Sequence, residues 1–235
     1  MKKILFLMKI SSKEHIDDLR SGKMYMKPLQ FFIDIKNNDV IGDNLEGTLR
    51  IKKTNLKIFD LKTNEKVYEI SSDIDIDFGF KDNPVFCMYA FDERNYYSRE
   101  KINSKEILCD FRFDEKTKDV LKDFGEKTLI INDITEFRNR VKQAAERQNI
   151  KYKLDIVDYY EDYNDTERII DVLKNNSKVV FQKQEKYSYQ QEFRILMDTQ
   201  VEDHFILDIG DISDITKVFD TNTILNSGLK LRIKI

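Results

Sequence analysis

The stretch that decides the fold is PVFCMYAF, Pro84–Phe91, which is apolar at almost every position and opens with a proline. A proline is tolerated at the first residue of a strand, and a long apolar run is typical of a strand that is covered on both faces. The stretch therefore predicts a central strand of a β-sheet, buried between two layers.

Segments on both sides of this strand favour more strands and only short helices. Ile4 to Ile10 and Tyr187 to Met197 are predicted strands of the same core, and the KTNEK segment at residues 62–66 predicts a hairpin turn. A helix is expected after Asp133, which has capping-box spacing with Glu136. With no linker or repeat in the sequence, these patterns predict one α+β domain over residues 1–235. Its core would be a mixed, largely antiparallel β-sheet flanked by short helices.

Charge and composition exclude some classes of function. Lys and Arg number 40 against 43 Asp and Glu, so the formal net charge is -3, and both signs are interspersed along the chain. A global basic field for gripping phosphates is therefore absent, and nucleic acid is not an expected partner. The glycine-rich phosphate-binding motifs and the serine-nucleophile motif are also missing.

The cysteines and histidines do not have the spacing of a metal site or a disulfide framework. Cys87 and Cys109 lack CxxC spacing, and the two histidines, His15 and His204, lie far apart. The acidic residues of one polar segment do not match a calcium-binding EF-hand loop either: Asp39, Asp43 and Glu46. We expect no metal, and we interpret Cys87 as a small, buried and reduced residue.

The N-terminal stretch MKKILFLMKI resembles the start of a signal peptide, but Lys9 interrupts its apolar run. We interpret it as a buried first strand. No apolar run in the sequence approaches the length needed to cross a bilayer. The sequence therefore predicts a cytoplasmic protein, in a bacterium or a phage-infected host cell, without a membrane partner.

The most informative polar pattern is KYSYQQEFRIL, Lys186 to Leu196. In a strand, alternate side chains share a face, so Gln190, Glu192 and Arg194 would lie together opposite a face of tyrosines and apolar residues. Two interpretations remain open for this row of polar side chains. It is either a catalytic edge or a solvent-exposed strand surface on which Glu192 and Arg194 pair weakly.

Gln190-Gln191-Glu192 fits the Q/E-x-E motif of the ADP-ribosyltransferases, and the order of segments is also similar to that superfamily. ILFLMK would be the first strand, SGKMYM would follow a short helix, and VFCMYA would be the buried middle strand. The late stretch also resembles uncharacterised bacterial and phage proteins with a K…Y…E-x-E-x-R pattern, here Lys186, Tyr189, Gln190, Glu192 and Arg194.

The resemblance implies an enzyme that uses NAD or a related nucleotide in a conflict between phage and bacterium. Glu192 would stabilise the oxocarbenium-like centre formed when the nicotinamide–ribose bond breaks, and Gln190 would orient the acceptor. Lys9 stands where the family has Arg or His to hold the dinucleotide, and it lacks a bidentate fork. The other cofactor-binding candidates are Arg194 and three tyrosines that could stack on the nicotinamide ring: Tyr89, Tyr96 and Tyr97.

The alternative is a phage or host protein without catalysis, which binds and inhibits a partner protein or sequesters a small nucleotide. The sparse set of catalytic motifs favours this class. The sequence leaves the partner and the oligomeric state open.

Overall fold

The computed structural model describes residues 4–35, 43–92 and 95–234. Its strands are β1 (Phe6–Ser11), β2 (Lys23–Pro28), β3 (Thr48–Phe59), β4 (Lys66–Asp77), β5 (Pro84–Phe91), β6 (Tyr96–Asn103), β7 (Glu106–Phe111), β8 (Lys127–Ile131), β9 (Tyr152–Ile156), β10 (Asp158–Tyr160), β11 (Gln182–Gln184), β12 (Glu192–Met197), β13 (Phe205–Asp208), β14 (Thr216–Asp220) and β15 (Leu229–Lys234). Its α-helices are α1 (Lys13–Arg20), α2 (Leu29–Ile33), α3 (Glu115–Leu121), α4 (Ile134–Arg147), α5 (Thr166–Lys174) and α6 (Thr221–Ser227). Segments of 3-10 helix are Lys122–Phe124, Asn176–Phe181, Glu185–Gln190 and Ser213–Ile215.

Strand β5 is central in the main sheet, as its apolar run predicts. Along one edge it pairs antiparallel with β12, from Tyr89 opposite Glu192 to Val85 opposite Leu196. Tyr89 also pairs with β1 and Val85 also pairs with β2, so these two strands share the other edge of β5. The sheet continues from β1 to β8 and β14, from β2 to β13, and from β12 to β9. The predicted α+β class, with a largely antiparallel sheet and short helices, is confirmed. The described strand pairs of the main sheet are all antiparallel, and the parallel pair β10–β11 forms a separate sheet.

Both faces of β5 are covered by apolar layers. Phe86, Met88 and Ala90 belong to one core, together with the apolar stripe of α4. That helix begins where the sequence predicts it, because the Asp133 side chain accepts a hydrogen bond from the Glu136 N–H at 2.9 Å. The opposite face meets two further cores, and one of them includes side chains of the small sheet β15-β7-β6.

The predicted strand from Tyr187 to Met197 is only half correct. Glu192–Met197 forms β12, but Glu185–Gln190 is a 3-10 helix and Gln191 adopts the left-handed conformation with φ 38°. Every residue of β12 is buried, so neither of its faces is a solvent-exposed surface. The reason is that the face with Glu192 and Arg194 is covered by charged partners from other segments.

Strands β3 and β4 pair with each other over Thr48–Phe59 and Lys66–Asp77, and we call this hairpin the arm. Its inner half is anchored to the core: Leu49 is fully buried, and Ile51 and Ile76 pack against a buried apolar cluster. Strand β3 is also held at the base of the arm, because Arg168 Nη2 donates to the Arg50 carbonyl at 3.0 Å. At about 3.4 Å per residue, each strand of the arm is about 40 Å long.

Candidate functional site

Gln190, Glu192 and Arg194 do come together in the structure, but inside the protein. The 3-10 helix ends at Gln190, the left-handed Gln191 turns the chain, and Glu192 begins β12. All three side chains are buried, and Glu192 is 8% exposed. A residue that the sequence analysis did not consider joins them, because the Lys183 ammonium in β11 donates to Gln190 Oε1 at 2.7 Å and to Glu192 Oε1 at 2.6 Å.

We call this group of five side chains the charge cluster: Glu46, Lys183, Gln190, Glu192 and Arg194. Glu46 enters from the segment just before the arm, with its carboxylate 3.3 Å from the Lys183 ammonium and in contact with Arg194 Nη2. Arg194 Nε donates to Glu192 Oε2 at 2.7 Å, and Arg194 Nη1 donates to the Val180 carbonyl at 2.6 Å. Two carboxylates therefore balance two cations.

The opposite charges within the charge cluster keep its acidic and basic side chains ionised despite their burial. Burial acts to raise the pKa of Glu192, but Arg194 and Lys183 outweigh it and hold that pKa well below the usual range of a glutamate. Burial likewise acts to lower the pKa of Lys183, yet Glu192 and Glu46 leave it raised. Glu192 is thus a fixed anion with a cation on each oxygen, and this arrangement leaves it poorly placed to bind a ribose or a developing positive charge.

Lys9 lies at a gap in the sheet. Because β1 and β2 pair with opposite ends of the same β5 edge, the middle of that edge has no strand opposite it in the described pairing. The Lys9 ammonium fills part of this gap by donating to the Cys87 carbonyl at 2.8 Å, and it lies 4.7 Å from the Phe86 ring centroid. Burial lowers the pKa of Lys9. Lys9 therefore binds a backbone carbonyl in this structure, and it does not form part of a phosphate-binding site.

Cys87 is partly buried, so the prediction that it is buried holds only in part. The side chain packs against a buried apolar cluster, and burial raises the pKa of its thiol to about 12. The raised pKa keeps the thiol protonated near neutral pH, whereas the thiolate is the reactive form. The interpretation of Cys87 as a small hydrophobic residue fits this environment.

The predicted stacking tyrosines do not line one site. The Tyr89 ring is buried against Phe91 and Phe113, with centroid distances of 4.8 and 5.9 Å. Tyr97 is 65% exposed in β6, where Arg112 Cζ lies 4.2 Å from its ring centroid. The backbone of Tyr96 begins β6, but its side chain lies outside the described residues.

Sequence analysis also missed Tyr159, whose hydroxyl accepts a hydrogen bond from the Glu192 backbone N–H at 3.0 Å. Burial raises the pKa of Tyr159 well above its usual value. The backbone around Tyr159 forms the short strand β10. Tyr159 stands between Asp158 and Tyr160 in an acidic, aromatic stretch, and this pattern does not single out one tyrosine as a partner of Glu192.

A cavity of 290 Å³ lies between β9 and the segment that follows α5. None of the predicted site residues lines it. Three aspartates and two lysines contribute to its wall, and Lys153 Nζ already donates to Ser177 Oγ at 2.5 Å. This lining has no excess of positive charge, and so the cavity does not favour the phosphates of a dinucleotide.

In the described part of the chain, no group of three or more His, Cys, Asp or Glu side chains could hold a metal ion. No helix within the same residues combines the length and the apolar character that crossing a membrane requires.

Comparison of the chain with protein-family models, with curated proteins and with solved structures finds no match. The geometry of the described residues is therefore the basis on which function is proposed.

Proposed function

We propose that this chain is a binding protein that acts without catalysis, and that the outer half of the arm docks on a partner protein. The observation that carries the proposal is a group of large apolar side chains that the arm exposes near its turn. Their exposed fractions are 44% for Ile58, 49% for Phe59, 102% for Leu61, 66% for Val67 and 59% for Tyr68. An apolar patch of this kind on a folded protein is typical of an interaction site.

Two of the exposed side chains, Ile58 and Tyr68, continue a face that is covered at the base of the arm. Tyr68, Ile74 and Ile76 have the same parity in β4 and so share a face of the hairpin. Ile76 packs against a buried apolar cluster, whereas Tyr68 and its cross-strand partner Ile58 are exposed. The core thus covers only the inner part of this apolar face.

A two-stranded hairpin in water is only marginally stable without a layer packed against it. A partner that covers the outer face would supply that layer, and it would remove Leu61 and Tyr68 from water. Complete burial of one large apolar side chain contributes about 1.5–3 kcal/mol, which corresponds to about 10- to 100-fold in affinity. The expected partner surface is a shallow apolar groove or an exposed apolar face.

The test compares two leucines that are both exposed. Leu61→Ser removes an apolar side chain from the arm, and Leu173→Ser removes one that is 55% exposed on α5. Proteins captured from bacterial extracts, with and without phage infection, would be compared between wild type and both variants. Each candidate would then be purified and titrated by calorimetry. We expect binding that Leu61→Ser weakens at least tenfold and Leu173→Ser leaves unchanged.

Equal binding by wild type and Leu61→Ser across all purified candidates would contradict a role for the arm. Circular dichroism of the two variants checks that both remain folded. Because Leu61 is fully exposed, its replacement leaves the core untouched and should have little effect on stability.

A second candidate is an NAD-using transferase similar to the ADP-ribosyltransferases. It is supported by the motif residues Gln190 and Glu192 lying together in the structure, whereas their burial against the Lys183 ammonium counts against it. The test is release of nicotinamide from NAD by wild type and by Glu192→Gln. Turnover that Glu192→Gln abolishes while the variant stays folded would support the enzyme. Absence of turnover in wild type would leave the binding protein as the better proposal.

A further inference from the structure

The inner half of β4 presents an acidic, alternating edge. Asp73, Asp75 and Asp77 are exposed, and they alternate with the partly buried Ile74 and Ile76. In the described residues β4 pairs only with β3, so its other edge carries no strand. Asp75 accepts two hydrogen bonds from Arg50 across the hairpin, at 2.7 Å from Nε and 2.5 Å from Nη2, and Asp77 lies 2.7 Å from the Lys81 ammonium. Both aspartates remain exposed despite these pairs, so a second cation can reach each carboxylate.

Strand β15 presents the complementary pattern. Lys230 and Arg232 are exposed, and they alternate with the partly buried Leu229 and Leu231. One edge of β15 pairs with β7, and within the described pairing its second edge is unoccupied. Charged and apolar positions therefore have the same period of two in both edge strands, with opposite signs of charge.

The two patterns match residue by residue in an antiparallel alignment. If Arg232 lies opposite Asp75, then Leu231 lies opposite Ile76 and Lys230 lies opposite Asp77. This register puts each cation beside a carboxylate on one face and the apolar side chains together on the other face.

We propose that the free edge of β4 pairs with the free edge of β15 from a second copy of this chain. Charge decides against the symmetric arrangements, because β4 against β4 places carboxylates together and β15 against β15 places cations together. The contact is therefore heterologous, with different surfaces on the two copies. Such contacts close into a ring or continue as a chain of subunits. Self-association uses the inner half of the arm and leaves its outer half free for another protein.

The test reverses the charges of the proposed pair Arg232 and Asp75, one in each variant, and measures association by sedimentation velocity. Arg232→Glu puts a carboxylate beside Lys230 on the β15 edge, and Asp75→Lys puts an ammonium at the centre of the β4 edge. Wild type should self-associate in a manner that rises with concentration and falls with salt. Each variant alone should associate at least tenfold more weakly, and an equimolar mixture should recover association.

A wild-type chain that stays monomeric up to about 100 μM at low salt, well above the dissociation constant of a typical specific contact, would overturn the proposal. So would variants that associate as wild type does. Circular dichroism verifies folding, and Asp75→Asn replaces Asp75→Lys if the added lysine beside Arg50 disrupts the hairpin. Leu61→Ser should associate normally, which separates this contact from the partner-binding surface.

Discussion

Replacing Glu192 by Gln should destabilise the fold strongly, although the side chain keeps its shape. The substitution removes the negative charge that lies 2.6 Å from the Lys183 ammonium and 2.7 Å from Arg194 Nε. Both cations are almost fully buried, with side-chain exposures of 3% and 2%, so water does not replace the lost partner. Within the described residues, the Glu46 carboxylate is the ion-pair partner that would remain to both cations.

Removing one partner of a buried ion pair costs about 3–5 kcal/mol, because an uncompensated charge stays in the interior. For a chain of this size, each kcal/mol lowers the melting temperature by about 2–4 °C, so the expected decrease is about 6–20 °C. Urea denaturation followed by circular dichroism measures the free energy of unfolding directly. Glu115→Gln is the matched control, because Glu115 pairs with Lys118 at 2.7 Å but is 87% exposed. It should cost less than about 1 kcal/mol.

The pH dependence gives a second measurement of the same substitution. The pKa of Glu192 in the folded state lies below its unfolded value of about 4.3. Its charge therefore stabilises the fold fully above about pH 5, and that contribution is lost as the pH falls toward the folded-state pKa. The difference in stability between wild type and Glu192→Gln should shrink over this acidic range. A loss below about 1 kcal/mol at pH 7 would refute the buried ion pairs as a source of stability.

Two further predictions concern the thiol and a glycine. Cys87 should react slowly with thiol reagents at pH 8 in the native protein and rapidly in denaturant, because its pKa is raised to about 12; equal rates would contradict this. Gly125→Ala should lower the free energy of unfolding by more than about 2 kcal/mol, since φ is +148° and a Cβ would meet the Ser11 backbone at 2.1 Å. The control is Gly79→Ala, which has φ +79° but open space around it and should cost about 1–2 kcal/mol in urea denaturation.

Sequence patterns predict those strands, helix starts and turns that are determined by residues close together in the sequence. The apolar run of Pro84–Phe91 predicts β5 with its observed bounds, and the capping residue Asp133 predicts the start of α4. The KTNEK turn lies between the two strands of the arm, as expected. In each case the deciding interactions join residues that are close in sequence, or they depend only on general burial.

Tyr187 and Tyr189 alternate with polar residues, and this pattern predicts a strand where the structure has the 3-10 helix Glu185–Gln190. Its buried residues, Tyr187 and Gln190, are three positions apart, which is the period of a 3-10 helix. A segment this short offers too few positions for the two periods to be separated. The left-handed Gln191, which ends the helix, has no sequence signature of its own.

The charge cluster could not be derived from the sequence because its members come from distant segments. Glu46 and Arg194 are 148 positions apart, and Glu46 lies in a polar segment that predicts only a loop. The apolar neighbours Leu45 and Leu49 were the one available sign that this carboxylate enters the interior. The sequence identifies Gln190 and Glu192 as neighbours, but their burial depends on Lys183, which lies in the separate strand β11.

The length of the arm can change without a change in the contacts that stabilise the core. Its anchoring contacts lie at the base, whereas the turn at residues 60–65 is exposed. Inserting two residues into each strand near that turn would extend the hairpin by about 7 Å and keep every side chain on its original face. The arm could therefore change in length and tip composition, and with them the surface proposed to dock on a partner, without redesign of the sheet.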